Sequence, residues 1–239
     1  MQSTAEMQVV ILAGGLGTRL KPVVSDKPKV LAEVLNRPFL TYILDQISSA
    51  GFREVVLCAG FKAEHVKQKL GQIYGPLRIS YSTEEQPLGT GGALRLALPF
   101  LWSDVVLVMN GDSYTDVNLG AYVNWFFHKS NSDAAIVLTK LPDTTRFGNV
   151  VIDQDEHIIA FNEKTTNEVT EWINAGIYLM KKSLIAAIPT DRIYSLEREF
   201  FPSLAGKKLL GFRVEGRFID IGTPASYAGA QEFFALKGS

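Results

Sequence analysis

The sequence has a single cysteine and few histidines, which removes several classes of site. Cys58 cannot close an internal disulfide, and no cysteine spacing typical of a metal site occurs. The three histidines have no partner at a spacing typical of metal binding or catalysis. A disulfide scaffold and a cysteine-based zinc site are therefore excluded, and a reducing, cytoplasmic setting is expected.

Long apolar runs and an excess of one charge are also missing. The formal net charge is −1, and no segment approaches the roughly 18 apolar residues that cross a bilayer. The opening residues, MQSTAEMQVVILAGG, lack the basic start and long apolar core of a secretory signal. We therefore expect neither nucleic acid nor a membrane as a partner, and any bound anion must be held by local charge.

Strand and helix patterns alternate through about residue 130, as a parallel sheet covered by helices requires. The 239 residues, 46% of them hydrophobic, are enough for one domain with a large core. The predicted strands of this half cover 8–13, 54–60, 77–82 and 104–112. The predicted helices cover 39–50, 63–71 and 93–100, the last of them preceded by a glycine-rich turn over 86–92.

The second half has strand patterns with few helices between them. The patterns over 133–141, 148–153, 157–163 and 172–182 predict a hairpin-rich extension of the same sheet. Strand patterns over 208–214 and 217–222 follow, and a closing helix begins at Pro224. No repeat or linker divides the chain, so one domain is predicted over residues 1–239.

The stretch VVILAGGLGTRLKP, residues 9–22, ends a buried strand in glycines and then adds positive charge. Glycines let backbone N–H groups approach an anion closely at the carboxyl end of a parallel strand. Arg19 and Lys29 can add cations beside them. The stretch therefore predicts a polyphosphate cradle, with a purely structural tight turn as the alternative.

Two well-known phosphate-binding motifs do not match this sequence. The dinucleotide fingerprint needs a third glycine, where Leu20 stands, and an acid after the second strand, which instead ends in Ala59 and Gly60. The motif GxxxxGK[ST] is absent from the sequence. A Rossmann-type oxidoreductase is therefore the weaker hypothesis.

The loop is one of several motifs that together resemble the sugar-1-phosphate nucleotidyltransferases. After AGGLGTRLKP and DKPKVL come EEQPLGTGGAL, MNGDSY, FNEK, INAGIY and FIDIGTP, in the family's order along most of the chain. The resemblance implies an α/β, Rossmann-like three-layer sandwich with a mostly parallel mixed sheet. It also implies a nucleotide-binding half over about 1–130 and a sugar-phosphate-binding half over about 131–239.

The family transfers a nucleotidyl group from a nucleoside triphosphate to a sugar 1-phosphate and releases pyrophosphate. The resemblance implies that Asp112 and Asp220 hold Mg²⁺, and that Arg19 and Lys29 grip the triphosphate. Arg19, Lys29 and Asp112 are the predicted catalytic residues. The implied nucleotide contacts are Leu12, Ala13, Gly14, Gly15, Gly17, Thr18, Arg19, Lys29, Gly89, Thr90, Gly91 and Asp112. The implied sugar-phosphate contacts are Gly111, Glu163, Lys164, Asn174 and Glu197.

Each of these residue types also has a plainer structural explanation. Asp112 is suited to a turn or cap, and Asp220 to capping the helix near Pro224. Lone basic residues are most often solvated, and a glycine-rich segment is often a simple turn into a helix. Asn174 suits a bulge in a strand as well as a sugar contact.

Among the branches of the family, the sequence most resembles bacterial D-glycero-D-manno-heptose 1-phosphate guanylyltransferases. That implies GTP and a heptose 1-phosphate as substrates and a role in surface polysaccharide synthesis. A mannose 1-phosphate guanylyltransferase and a relative that uses UTP with muramate or glucose 1-phosphate are alternatives. A domain that senses nucleotide sugars without turnover is the alternative from another class. The sequence makes no prediction of the oligomeric state.

Overall fold

The computed structural model describes residues 3–15, 17–20, 22–24, 27–60, 62–129, 132–141, 147, 149–162 and 172–236. The strands are β1 (Gln8–Leu12), β2 (Glu33–Val34), β3 (Arg37–Pro38), β4 (Glu54–Ala59), β5 (Ile73–Tyr74), β6 (Leu77–Thr83), β7 (Val105–Asn110), β8 (Ser113–Thr115), β9 (Ala134–Lys140), β10 (Asn149–Ile152), β11 (Ile158–Asn162), β12 (Trp172–Lys181), β13 (Leu209–Val214) and β14 (Phe218–Asp220). The α-helices are α1 (Phe39–Ser49), α2 (Ala63–Leu70), α3 (Gly89–Leu96), α4 (Leu119–His128), α5 (Lys182–Ala186), α6 (Phe201–Leu204) and α7 (Pro224–Ala235). A π-helical turn covers Leu196–Phe200.

The central sheet is mixed, with parallel strands at its centre. Strands β6, β4, β1 and β7 lie side by side and parallel, and β12 then pairs antiparallel with β7. Beyond β12 the sheet divides, because β12 pairs with both β9 and β10. The predicted α/β fold with a mixed sheet is therefore confirmed, and the carboxyl ends of four parallel strands meet at one edge.

Both faces of the sheet are covered, which produces three layers. On β1, Val9 and Ile11 belong to the core under α1, α4 and α7, whereas Val10 belongs to the core under α3 and α5. All three side chains are fully buried. Alternate residues of a strand point to opposite faces, so a strand buried on both sides reads as a continuous apolar run.

One sequence-based assignment of an element is wrong. The predicted turn over 86–92 is partly helical, because α3 begins at Gly89 and not at residue 93. Glycine is a poor helix former, so the sequence pattern placed the start too late. The strand predicted over 217–222 is present as β14, which pairs with β8 in a separate two-stranded sheet.

Within the described part of the chain, no helix combines the length and the apolar character that crossing a bilayer requires.

The core contains a buried hydroxyl that accepts a hydrogen bond from the sheet, and its loss is expected to be costly. The Leu179 N–H donates to the Tyr122 hydroxyl over 3.1 Å, and the Tyr122 side chain is fully buried. We expect Tyr122→Phe to lower the free energy of unfolding by about 1–3 kcal/mol, because a buried donor loses a partner. Urea denaturation measures this free energy.

The control Tyr227→Phe removes an exposed hydroxyl that donates to the Glu33 carbonyl. It should change the free energy of unfolding by less than about 0.5 kcal/mol. Equal effects of the two substitutions would contradict the assignment.

Candidate active site

The glycine-rich loop lies at the edge of the sheet where the parallel strands end. The Ala13 N–H donates to the Cys58 carbonyl of β4, and the Gly111 N–H donates to the Leu12 carbonyl of β1. These bonds of 2.8 and 2.9 Å hold the ends of neighbouring strands together. The segments that follow β1 and β7, which the sequence singled out, therefore lie side by side.

Space and backbone conformation explain two of the loop glycines. Gly17 has a φ of +57°, which favours glycine, and a Cβ there would lie 3.1 Å from the Lys29 Cβ. Around Gly15 no atom of the described residues, its chain neighbours aside, lies within 4 Å of the position that a Cβ would take. Thr18 and Arg19 follow in an exposed turn, so this part of the loop faces open space beside Lys29.

Lys29 and Asp112 form an ion pair at the centre of this edge. The Lys29 Nζ lies 2.7 Å from Asp112 Oδ2, and the lysine side chain is only 11% exposed, against 43% for the aspartate. Lys29 comes from a short 3₁₀ turn after the loop, and Asp112 from the turn between β7 and β8. The structure thus brings together two of the predicted catalytic residues.

Asp220 is brought to the same place by the pairing of β14 with β8. Asp220 lies opposite Ser113 in this ladder, and the Ile221 N–H donates to the Asp112 carbonyl over 2.9 Å. The alternative role, capping the last helix, belongs to a different residue, because the Thr223 side chain caps α7. Asp220 Oδ2 instead accepts from the Gly222 N–H over 2.8 Å.

The acidic groups at this edge are few. In the described ranges no group of three or more His, Cys, Asp or Glu side chains is placed to hold a metal ion. These residues therefore do not form a metal site whose ligands all come from the protein. Two aspartates on adjoining backbone segments instead match the chemistry of Mg²⁺, which keeps several waters or phosphate oxygens and takes one or two carboxylates.

The PLGTGG segment is held by a second segment of the chain around Tyr194. Gly89 has a φ of +76°, and a Cβ there would lie 2.6 Å from the Tyr194 carbonyl oxygen. The Gly91 N–H donates to that same oxygen over 2.9 Å. Thr90 is hydrogen-bonded to Glu197 over 2.6 Å through its hydroxyl. This places Glu197, a predicted sugar-pocket residue, against the predicted nucleotide segment.

Glu84 is a site residue that sequence reasoning missed. It follows β6 at the same edge, and a Cβ at either Gly14 or Gly60 would collide with its carboxylate. The Leu88 N–H donates to Glu84 Oε2 over 3.1 Å, and burial raises the pKa of this carboxyl above its usual value. An acid directly after a predicted strand was the signal that could have identified it.

Asn174, a predicted sugar-phosphate contact, makes its side-chain hydrogen bonds within its own strand. Its Oδ1 accepts from the Gly176 N–H over 2.8 Å, and its Nδ2 donates to the Tyr178 hydroxyl over 3.1 Å. The register of β12 shifts between Asn174 and Tyr178, so the bulge that the sequence offered as an alternative is present. Glu163 and Lys164 lie outside the described residues.

Tyr178 and Asn110 are further residues that the sequence did not reveal. Burial, followed by the negative charges of Glu197 and Asp112, raises the pKa of Tyr178 well above its usual value. Asn110 Oδ1 is buried and has no hydrogen-bond partner among the described residues.

The close approach of Gly89 to Tyr194 can be tested separately from its backbone strain. Gly89→Ala adds both a positive-φ penalty and a clash with a backbone oxygen, so we expect a loss of about 2–5 kcal/mol in unfolding free energy. The control Gly75→Ala has a φ of +54° and nothing within 4 Å, and should cost only about 1–2 kcal/mol. Thermal and urea unfolding compare the two, and equal losses would show that the Tyr194 contact is unimportant.

Comparison with known proteins places the chain in a family. It is 36% identical over 230 residues to a mannose-1-phosphate guanylyltransferase of Mycobacterium tuberculosis, covering 94% of this chain and 64% of that protein. It is 35% identical over 227 residues to a D-glycero-alpha-D-manno-heptose 1-phosphate guanylyltransferase of Aneurinibacillus thermoaerophilus, covering 95% of this chain and 97% of that protein. The crystal structure of HddC from Yersinia pseudotuberculosis superposes with a TM-score of 0.82 at 34% identity, covering 95% of this chain and 99% of HddC. A model of the nucleotidyl transferase family matches residues 8–236, so the chain belongs to that family.

Proposed function

We propose that this chain transfers GMP from GTP to a sugar 1-phosphate, D-glycero-α-D-manno-heptose 1-phosphate in the first instance, and releases pyrophosphate. The observation that carries the proposal is the convergence of Lys29, Asp112 and Asp220 at the end of the parallel strands. Relatives named as heptose 1-phosphate guanylyltransferases, and an HddC structure described as complexed with GMP-PN, support the choice of substrates.

The chemical difficulty of such a reaction is that one anion must approach another. Two unit charges about 4 Å apart repel by ~4 kcal/mol at an effective dielectric near 20. Positioning and neutralisation of charge therefore do most of the work, and no covalent enzyme nucleophile is needed. The described edge offers the required cations in Lys29 and the exposed Arg19.

Mg²⁺ is the proposed cofactor, with Asp112 and Asp220 as its protein ligands. When bound, it supplies positive charge to phosphate oxygens during transfer. The two aspartates are attached to backbone segments that are joined by a hydrogen bond of 2.9 Å between Ile221 N–H and the Asp112 carbonyl. This arrangement fits Mg²⁺, whose coordination shell would be completed by oxygen atoms of the substrates.

The other residues at this edge are assigned to parts of the two substrates from their chemistry. Open space at Gly15 suits the triphosphate, whose oxygens the loop N–H groups and Arg19 would bind. The PLGTGG segment, held in place by Glu84, would border the base and ribose. Glu197, Asn174 and the pair Glu163 and Lys164 remain the proposed sugar-phosphate side.

A mannose 1-phosphate guanylyltransferase is the second candidate, because a relative with that name is 36% identical over 230 residues. For either sugar the product is a GDP-sugar. Its expected use is a glycosyl transfer into surface polysaccharide, with synthesis in the cytoplasm.

The experiment that tests the function is a matrix of four nucleoside triphosphates against mannose, glucose, muramate and heptose 1-phosphates, read by product mass. We expect a GDP-sugar from GTP with heptose or mannose 1-phosphate. Asp112→Asn should lower the rate at least about 100-fold with unchanged circular dichroism, because it removes a metal-binding charge. A product formed only with another nucleotide would contradict the GTP assignment. No product with any pair, while nucleotide still binds, would favour the sensing domain.

The ion pair between Lys29 and Asp112 predicts that metal binding depends on nucleotide. Lys29 bonds Asp112 Oδ2 at 2.7 Å, so its positive charge opposes a cation that approaches this carboxylate, and triphosphate oxygens reduce that repulsion by attracting the ammonium group. We expect Lys29→Met to bind Mn²⁺ alone at least about 10-fold more tightly than the unmodified chain, measured by electron paramagnetic resonance of free Mn²⁺.

The matched control for this measurement is Lys67→Met, since Lys67 lies on the surface of α2 beside Glu64. It should leave Mn²⁺ binding unchanged. Equal Mn²⁺ affinity of the unmodified chain and Lys29→Met would show that Lys29 does not compete for Asp112.

A further inference from the structure

Two segments that are distant in sequence form one hydrogen-bonded unit at the edge of the site. The Tyr194 N–H donates to the Leu88 carbonyl over 2.9 Å, and the Gly91 N–H donates back to the Tyr194 carbonyl over 2.9 Å. The Leu196 N–H donates to the Thr90 hydroxyl, also over 2.9 Å. The PLGTGG segment and the segment around Tyr194 therefore keep a fixed relative position.

The single proton of the Thr90 hydroxyl is used within this unit. The hydroxyl accepts from Leu196 N–H and donates to Glu197 Oε2 over 2.6 Å. A threonine hydroxyl has one proton to donate, so none remains for a base or a ribose. As a donor, the side chain of Thr90 thus serves Glu197 alone.

Glu197 is held by one of its two carboxylate oxygens. Ser195 Oγ donates to the same Oε2 over 3.0 Å, which adds a second donor beside Thr90. No hydrogen bond of Oε1 is found within the described ranges. A carboxylate fixed through one oxygen presents the other in a defined direction, which suits the acceptance of a ligand hydroxyl.

Glu197 is linked through the core to the proposed sugar side. Its neighbour in the π-helical turn, Leu196, belongs to the same buried cluster as Tyr178. The Tyr178 hydroxyl accepts from the amide of Asn174, a predicted sugar contact, over 3.1 Å. After burial, which is the main cause, the negative charge of Glu197 also raises the pKa of Tyr178. These contacts agree with the sugar role that the proposed function gives to Glu197.

The backbone at Glu197 is unusual in a way that agrees with a functional position. Residues Leu196–Phe200 form a π-helical turn, and Ser195 caps it by accepting from the Arg198 N–H over 3.2 Å. Such turns are rare and occur frequently at functional sites. The turn begins at Leu196, the residue whose N–H donates to Thr90.

We propose that Thr90 is a positioning residue for the sugar, which holds Glu197 so that Oε1 accepts a hydroxyl of the sugar 1-phosphate. This role rests on the proposed function. Because Thr90 belongs to the segment proposed to border the nucleotide, its bond to Glu197 joins the two substrate sites. A nucleotide that orders PLGTGG then also orders the acceptor for the sugar.

The test is Thr90→Val, which keeps the shape and removes both hydrogen bonds, compared with Thr90→Ser, which restores them. With GTP and the sugar 1-phosphate that the unmodified chain uses, Thr90→Val should raise the sugar KM by about 10-fold to 100-fold. The GTP KM should change by less than about 3-fold, and Thr90→Ser should recover most of the sugar KM. Calorimetric titration of sugar 1-phosphate in the presence of a non-hydrolysable GTP analogue gives a second readout.

Two controls separate the role from a general loss of structure. Thr41→Val on α1 removes a buried hydroxyl that donates to the Pro38 carbonyl. This change should leave both KM values unchanged. Thr90→Val combined with Glu197→Gln should raise the sugar KM little more than either change alone. An unchanged sugar KM in Thr90→Val, or a rise confined to GTP, overturns the role of Thr90 while the unmodified chain stays active. An unmodified chain without product overturns the proposed function and this role together.

Discussion

The ladder between β8 and β14 is the contact on which the proposed site depends. It is only three residues long, yet it is what places Asp220 beside Asp112, far away in the sequence. It is extended at both ends. At one end the Asp116 N–H donates to the Arg217 carbonyl over 2.9 Å, and the Arg217 side chain pairs with that aspartate over 3.0 Å. At the other end the Ile221 N–H donates to the Asp112 carbonyl over 2.9 Å. An isolated two-stranded ladder is marginal alone, so its neighbours must stabilise it.

Aromatic packing supplies that stabilisation. Tyr114 of β8 contacts Phe233 and Phe234 of α7 edge to face, with centroids 6.0 and 5.1 Å apart. Phe234 also stacks on Tyr42 of α1. Helix α7 therefore fixes β8, which begins directly after Asp112, although α7 contributes none of the proposed site residues. Incorrect packing of the aromatic rings of α7 would displace β8 and, with it, Asp112.

The sequence predicts those features that local patterns determine, and it misses those that need a distant partner. The central strands and α1, α2 and α7 follow from apolar periodicity and from Gly or Pro at the ends, and they agree with the structure to within one or two residues. The loop glycines and Lys29 were predicted as a polyphosphate cradle from the end of the first strand, whereas the role of Asp112 was predicted from the resemblance to the nucleotidyltransferases. The start of α3 was missed because its glycines are poor helix formers, and contacts with Tyr194 hold them.

Long-range pairing also explains which site contacts were invisible. Nothing near Thr90 in the sequence indicates that its hydroxyl meets Glu197, and nothing near Ser113 indicates a strand partner after residue 217. Glu84 is an intermediate case. Its position after β6 could be predicted, but its packing between two glycine segments could not. Such contacts are properties of the tertiary fold, and propensity carries no information about them.

The glycines at this edge have two different physical roles, although they look alike in the sequence. At Gly60 an added Cβ would lie 2.8 Å from the Gly14 carbonyl oxygen, and at Gly89 it would lie 2.6 Å from that of Tyr194. Both glycines are needed because backbone segments pack against each other, whether or not a ligand is bound. At Gly15 no atom of another described segment lies within 4 Å, so packing among these residues gives no reason for a glycine there. A ligand that approaches the backbone would supply one, and the open space beside Lys29 is where a polyphosphate would do so.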